Sequence, residues 1–338
     1  CSTNIKERHD HSTAIADADG RLVAQAEWSL PIHLASMLGL LDILIKTYGD
    51  DIHEGDIFIA NDPHVAGGTH LPDLALVSPV FVDGKLSAFV ANLAHHADVG
   101  GAAQGSMSGG MREIWQEGLR IPVMRLYSRD QLNSEVTELL LLNMRLPEER
   151  RGDLNAQVAA CHLGVQRMKT LFGQYGSDTV SSAFSEILTR TDLRMKAAIA
   201  QIPDGSYAFE DVLDDDGLDA RDIRFKLEVR KSGEQIVFDF TGTDPQVPGN
   251  VNLTLNAVQS AVCYALKSLL DPALPNNQAA IDAIEIIAPE GSIANCVSPG
   301  AVALRANTCQ RVVDVIIGAL ADVLPEQAIG AANGANTS

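Results

Sequence analysis

Apolar residues recur at helical spacing over 32–47 (IHLASMLGLLDILIKT), and Gly49 stands where such a helix should stop. Before it, residues 13–27 alternate weakly around an ADADG turn, the pattern of a short hairpin. After it, residues 56–60 read as a short buried strand ending at a polar corner, Asn61-Asp62. Two β-rich runs, 74–82 and 86–94, flank Asp83-Gly84-Lys85 and predict a second hairpin. A glycine-rich loop, VGGAAQGSMSGG, occupies 99–110. Residues 153–200 carry a helical apolar stripe through Leu154, Val158, Cys161, Val165, Met168 and Leu171. It breaks at Gly173–Ser177, and a second helix runs to about Ile202. Asp204-Gly205 opens a β region, with a hairpin over 222–230 and 235–241. Residues 253–270 and 308–323 read as amphipathic helices. Hairpins mixed with long helices predict an α+β fold. It is expected as one large elaborate domain or two closely packed parts, 1–202 and 203–338.

Charge narrows the function. Among 338 residues, 25 basic side chains face 44 acidic ones, a formal charge of −19. Phosphate contacts need clustered Lys and Arg, so a nucleic-acid binder is not expected. No run approaches 18 uninterrupted apolar residues, so no membrane-spanning helix is expected, and no basic segment leads into an apolar one. The five cysteines form no CxxC pair, which argues against a zinc ribbon or disulfide framework and predicts a reducing, cytoplasmic setting. The chain opens in mid-pattern at Cys1 and stops after a Gly/Ala/Asn stretch, as a portion of a longer protein would.

Histidine supplies the candidate chemistry. Eight of nine lie between His9 and His96, and six of these gather in three patterns: Glu7-Arg8-His9-Asp10-His11, Asn61-Asp62-Pro63-His64 with Thr69-His70-Leu71-Pro72-Asp73, and His95-His96-Ala97-Asp98. If the hairpin turns at Gly84, paired residue numbers sum to about 168, which sets Asp73 opposite His95. Opposed strand residues have Cβ atoms roughly 4.5–5.5 Å apart, close enough for a carboxylate and an imidazole to share a cation. His70 lies one tight turn upstream, and Asp10 or Asp62 could complete the site. Nitrogen and oxygen ligands without cysteine suit Zn, Mn or Fe as a divalent metal. Each motif taken singly is weak, because a lone histidine or an Asp before Pro is usually structural. The other signals have blander readings. The glycine loop matches no phosphate-binding pattern, and Ser106 and Ser108 lack a nucleophile-elbow context. Cys161 reads as core and His162 as surface or hydrogen-bonded. Asp214–Asp216 reads as a solvated turn, and His33 as capping or packing at its helix start.

These residues also carry a resemblance. NIKERHDHS, GDIFIANDPHVAGGTHLPDLALVSPVF, AHHADVGGAAQGSM and GDLNAQ, then DGSYAFEDVLDDDG, DFTGTDPQVPGNVN and NTCQRVVDVIIGAL, resemble in order the hydantoinase B/oxoprolinase family. That family includes ATP-dependent hydrolases of hydantoins, 5-oxoproline and lactams, and the metal-bearing subunit of acetone and acetophenone carboxylases. The resemblance implies a B-type subunit working with a hydantoinase A-type, ATP-binding partner in a hetero-oligomer. The partner would phosphorylate a small cyclic amide; ATP would enter only through it. The metal in the B-type subunit would assist attack on the activated carbonyl. The alternative is the metal subunit of a ketone carboxylase. Carried over residue by residue, the metal ligands fall on Asp10, His70, Asp73 and His95. His96 and Asp98 would complete the catalytic set by orienting them, and Asn61 and Asp62 would hold the loop that presents His70. His64 and His11 depart from the family pattern, as extra ligands or as marks of a changed substrate pocket.

Overall fold

Strands buried along most of their length form the centre of the first sheet of this computed structural model, which describes residues 2–331. A one-turn helix α1 (Thr3–Lys6) leads into β1 (His11–Asp17) and β2 (Leu22–Gln25). A 3-10 turn, Pro31–His33, runs into α2 (Leu34–Tyr48), which ends at Gly49 with φ 47°. β3 (Ile57–Ala60), β4 (Asp73–Val82) and β5 (Lys85–His95) follow. Asp83 and Gly84, both at positive φ (50° and 74°), make the two-residue turn whose twist suits a hairpin. After a short α3 (Ile114–Glu117) come β6 (Met124–Ser128) and β7 (Gln131–Leu132). The sheet order is β2-β1-β5-β4-β3-β6-β7, so the hairpin β4–β5 lies at its centre.

The helices follow as α4 (Ser134–Asn143), α5 (Pro147–Tyr175) and α6 (Ser177–Ile199). α5 starts earlier than its apolar stripe implies. Pro147 at the first position and Glu148 and Glu149 in the first turn favour a helix start there. Its buried first turns are polar, with Arg150, Asp153 and Gln157 facing inward, so apolar periodicity could not mark them. Side chains along a strand alternate between faces. Val80, Ala88 and Val90 pack on Met168, Phe172, Val180 and Phe184 from α5 and α6. The odd-numbered positions of β4 and β5, Asp73 and His95 among them, therefore belong to the other face.

Pro31–Asp51 has the length and hydropathy of a membrane span, although charges interrupt its apolar run. In the fold, Leu34, Ala35, Met37, Leu40, Leu41 and Leu44 are buried, and α2 meets β2 and β5. That burial assigns its apolar face to the protein core.

The chain divides into two units, Cys1–Met107 with Glu117–Leu188, and Ser108–Gln116 with Thr189–Ser338. The second holds β8 (Gly205–Asp215), β9 (Arg221–Ser232), β10 (Gln235–Asp239), α7 (Leu255–Leu270), α8 (Gln278–Asp282), β11 (Glu285–Ile287) and α9 (Arg305–Leu320). Its sheet order is β11-β10-β9-β8, and α9 packs on β8, β9 and α7. The architecture is α+β. Asp216 departs from the solvated turn expected of it: it is 1% exposed, and its carboxylate accepts N–H bonds from Leu218, Ala220 and Gly249. A run of three acidic residues gave no sign that its last member turns inward.

Candidate metal centre

The β4–β5 register sets Asp73 opposite His95, and it runs unbroken from that pair to Val80–Ala88. The only irregularity, between Val80 and Phe81, lies at the turn end and leaves the open end in register. A tight turn from His70 to Asp73 closes with the Asp73 N–H donating to the His70 carbonyl at 3.3 Å. His70 thereby returns over Asp73. Its Nε2 lies 2.8 Å from Asp73 Oδ1, and His95 Nδ1 lies 3.1 Å from the same oxygen. The two imidazole rings are tilted at 43° with centroids 5.0 Å apart.

Ligand atoms of His70, Asp73 and His95 all fall within 4.8 Å of one another. Bonds of about 2.0–2.2 Å to one cation hold donors at most about 4.4 Å apart, so shifts of a few tenths of an ångström suffice. The three side chains are buried, at 1%, 1% and 11% exposure. A donor set of two imidazoles and a carboxylate, shielded from water, fits a divalent cation. The residues present therefore pass a chemical test as well as a geometric one.

Asp10 stands at the rim. Its backbone carbonyl accepts the His95 N–H at 3.0 Å, which places it beside the triad. Its Oδ2 lies 3.9 Å from His95 Nδ1, and its side chain is 29% exposed.

The strand and loop that carry His70 are braced by Asn61 and Asp62. Asn61 Nδ2 donates to the carbonyls of Leu71 and Leu119, and its Oδ1 accepts the Ile121 N–H. Asp62 accepts the N–H groups of His64 and Val65 and pairs with Arg120. Asp62 is thus a loop organiser, outside the triad. His11 opens β1 opposite Ala94 and packs edge-on against His9.

His96 and Asp98 face other partners. His96 follows His95 by one residue, so it points to the opposite face, where its Nε2 meets Gln157 Oε1 of α5 at 2.8 Å. Burial pushes its imidazole down to about 4, against the opposing pull of that hydrogen bond. Because Gln157 Oε1 can only accept, Nε2 carries the proton of the neutral ring. Gln157 also ties Leu74 and Asn92 of the central hairpin to α5. Asp98 accepts N–H bonds from Gly100, Gly105 and Arg145, and a guanidinium bond from Arg145 at 3.0 Å. Partial burial opposes ionisation, but these donors outweigh it and hold the carboxyl below the usual range. His96 braces the strand that ends in His95, and Asp98 shapes the glycine loop that follows.

The residue that sequence reasoning passed over is His33. It makes no side-chain cap on α2. It is 1% exposed, its Nε2 lies 3.8 Å from Asp10 Oδ1 and 3.6 Å from Asp73 Oδ2, and its Nδ1 lies 2.8 Å from Ser12 Oγ. The signal available was a histidine just after a proline at the head of an apolar helix, an awkward place for a polar ring without a partner. The other side chains keep to structural places. Cys161 is buried, its thiol pushed up to about 12 by burial, and it accepts from Asn92. His162 packs edge-on against Tyr127.

Comparisons with known proteins show which family the chain resembles. An uncharacterized protein of Methanocaldococcus jannaschii, MJ0963, is 38% identical over 341 residues, covering 98% of this chain and 59% of its own length. 5-Oxoprolinase 1 of Arabidopsis thaliana is 36% identical, covering 94% of this chain and 27% of its own. The crystal structure of ATP-dependent caprolactamase from Pseudomonas jessenii superposes with a TM-score of 0.88 at 30% identity, over 94% of this chain and 55% of that one. The chain thus spans little more than half, or less, of each of these proteins. A family model described as Hydantoinase B/oxoprolinase matches residues 1–338. The chain belongs to the hydantoinase B/oxoprolinase family.

Proposed function

We propose that this chain is the B-type, metal-bearing subunit of an ATP-dependent hydrolase of cyclic amides. The convergence of His70 and His95 on Asp73 Oδ1, in a buried site at the open end of a hairpin, carries the reading. The names of its relatives support the substrate class: oxoproline, caprolactam and hydantoin are all cyclic amides. Ring amides are poor electrophiles, which gives ATP a role in activating the carbonyl. Two relatives are named as components of larger enzymes, the beta subunit of a caprolactamase and the B subunit of a hydantoinase. They support a hetero-oligomer in which an A-type partner supplies that step.

In this reading His70, Asp73, His95 and Asp10 hold a divalent cation, with Zn, Mn and Fe compatible with the donor set. Such an ion, when bound there, would supply Lewis acidity for hydrolysis of an activated carbonyl. The chain's residues bind and orient it. Asn61 fixes the carbonyl of Leu71 beside His70, and His96 fixes the end of β5 through Gln157. Asp98 orders the start of the glycine loop through the Gly100 and Gly105 N–H groups. The dependence on ATP and the absence of a CxxC pair support a cytoplasmic location.

The test is reconstitution with the A-type subunit, ATP and three substrates: a hydantoin, 5-oxoproline and caprolactam. Ring opening coupled to ATP hydrolysis, lost together with bound metal in His70→Ala and His95→Ala, is the expected result. Full metal content in both variants would refute the site. Turnover only with a ketone and bicarbonate would replace the hydrolase by the carboxylase.

A further inference from the structure

Each carboxylate of the cluster has two oxygens, and the structure gives them different company. Asp73 Oδ1 meets His70 and His95, while Asp73 Oδ2 lies 3.6 Å from His33 Nε2. Asp10 Oδ2 looks toward His95 at 3.9 Å, while Asp10 Oδ1 lies 3.8 Å from the same His33 Nε2. One imidazole nitrogen therefore approaches both carboxylates, at the oxygens other than those nearest His70 and His95. Thr69 Oγ1, at 3.5 Å, is a further donor to Asp73 Oδ2.

We propose that His33 is a positioning residue that holds Asp10 and Asp73 with one oxygen each turned toward the metal. This rests on the metal-site reading above. The proton assignment follows from the surroundings. A bare lone pair on Nε2 would face two carboxylate oxygens and be repelled, so Nε2 carries the proton. Nδ1 then accepts from Ser12 Oγ–H at 2.8 Å, and Ser12 Oγ in turn accepts the Leu30 N–H at 3.1 Å. The donors run in one direction, from the Leu30 backbone through Ser12 and His33 to the two carboxylates.

The two distances exceed a normal hydrogen bond. At that range the N–H acts on both carboxylates electrostatically, as a nearby positive dipole rather than through a formed hydrogen bond. The imidazole is held from several sides. Ser12 lies on β1, paired with Leu93 of β5, and His33 sits at the junction of the Pro31–His33 turn with α2. Four segments of the chain (β1, the head of α2, the start of β4 and the Asp10 corner) are thus joined through one ring. Without it, each carboxylate would lose the donor beside one of its oxygens, and the repulsion between the two charges would be less offset before any cation arrived.

Outer residues that orient metal ligands typically contribute 10–100-fold to affinity. The test titrates Mn²⁺ into the metal-stripped protein and reads Kd, stoichiometry and the Mn²⁺ electron-paramagnetic-resonance spectrum, with Tm of the stripped protein measured in parallel. His33→Leu should raise Kd by about 10–100-fold while one ion still binds per chain. His33→Gln, whose amide N–H reaches the Nε2 position, should recover most of the affinity. Ser12→Ala, which frees Nδ1, should fall between the two. Wild-type Kd in His33→Leu would overturn the proposal. Loss of stoichiometric binding in both His33 variants, with Tm kept, would make His33 a ligand and overturn it equally. A His33→Gln variant as weak as His33→Leu would remove the role assigned to the N–H. If His33→Leu fails to fold, His33→Gln and Ser12→Ala decide: wild-type Kd in Ser12→Ala or a large loss in His33→Gln overturns it. Absence of binding to the wild-type protein would instead strike the metal-site reading itself.

Discussion

At the scale of single residues, the site separates acidic groups by what they face. Asp73 meets imidazoles, Asp62 meets backbone N–H groups and Arg120, and Asp98 meets the glycine loop and Arg145. The last case has a consequence for pH. The Asp98 carboxyl is held below the usual carboxylate range by its donors. A carboxyl whose folded value is depressed adds stability above its unfolded value of about 3.9 and loses it as pH falls through the folded value. Asp98→Asn should cost about 1–2 kcal/mol at neutral pH, the low end for charged hydrogen bonds because the loop is near solvent. The variant should also lose less stability than the wild type between about pH 5 and pH 2, since this carboxyl no longer takes up a proton. Urea titrations across that range read the difference. Parallel losses in the two proteins would show that Asp98 has no depressed carboxyl.

At the scale of elements, the hairpin was legible and the helix head was not. Two β-rich runs around Asp83-Gly84 define a register, and Asp73 lies opposite His95 as that register requires. Strand periodicity works here because the one register shift lies beside the turn and the pairing stays in step from Val80–Ala88 to the site. His33 stayed hidden for the opposite reason. Its partners Ser12, Asp10 and Asp73 lie 21, 23 and 40 residues away along the chain, and no periodicity links a helix start to a strand end. Strands β6 and β7 are short and partly exposed, so their pattern was too brief to read. The loop before His70 shows how tightly these elements are fitted. Gly67 has φ 76°, and a Cβ there would come 2.4 Å from Gly39 C and 2.6 Å from Leu40 N on α2. Helix backbone cannot yield as a flexible side chain would. Gly67→Ala should therefore cost about 2 kcal/mol or more, through backbone strain plus overpacking. It should also weaken metal binding, because the displaced loop carries His70. Near-normal stability together with normal metal affinity would mean that the loop does not depend on this contact.

At the scale of the whole chain, the candidate ligands and the residue that positions them are unevenly placed. Asp10, His33, His70, Asp73 and His95 all belong to the first unit, and β8–β11 with α7–α9 belong to the second. A metal that binds only the folded site stabilises what it holds by RT ln(1 + [M]/Kd), about 2.7 kcal/mol at a hundredfold excess over Kd. Local opening reactions are protected only when they break the site. Opening β1, β4 or β5 separates Asp10, Asp73 and His95, whereas opening β8–β10 moves none of them. Hydrogen exchange with and without bound metal should therefore slow in peptides from β1, β4, β5 and the head of α2, by up to about a hundredfold at that excess. Peptides from β8, β9 and β10 should exchange at unchanged rates under native conditions. Equal protection in both units would mean that the second opens only together with the first, and that the site's stability is a property of the entire chain. Protection limited to α5 and the loop at 99–110 would point to binding around His96 and Asp98 instead, and would move the metal away from the hairpin end.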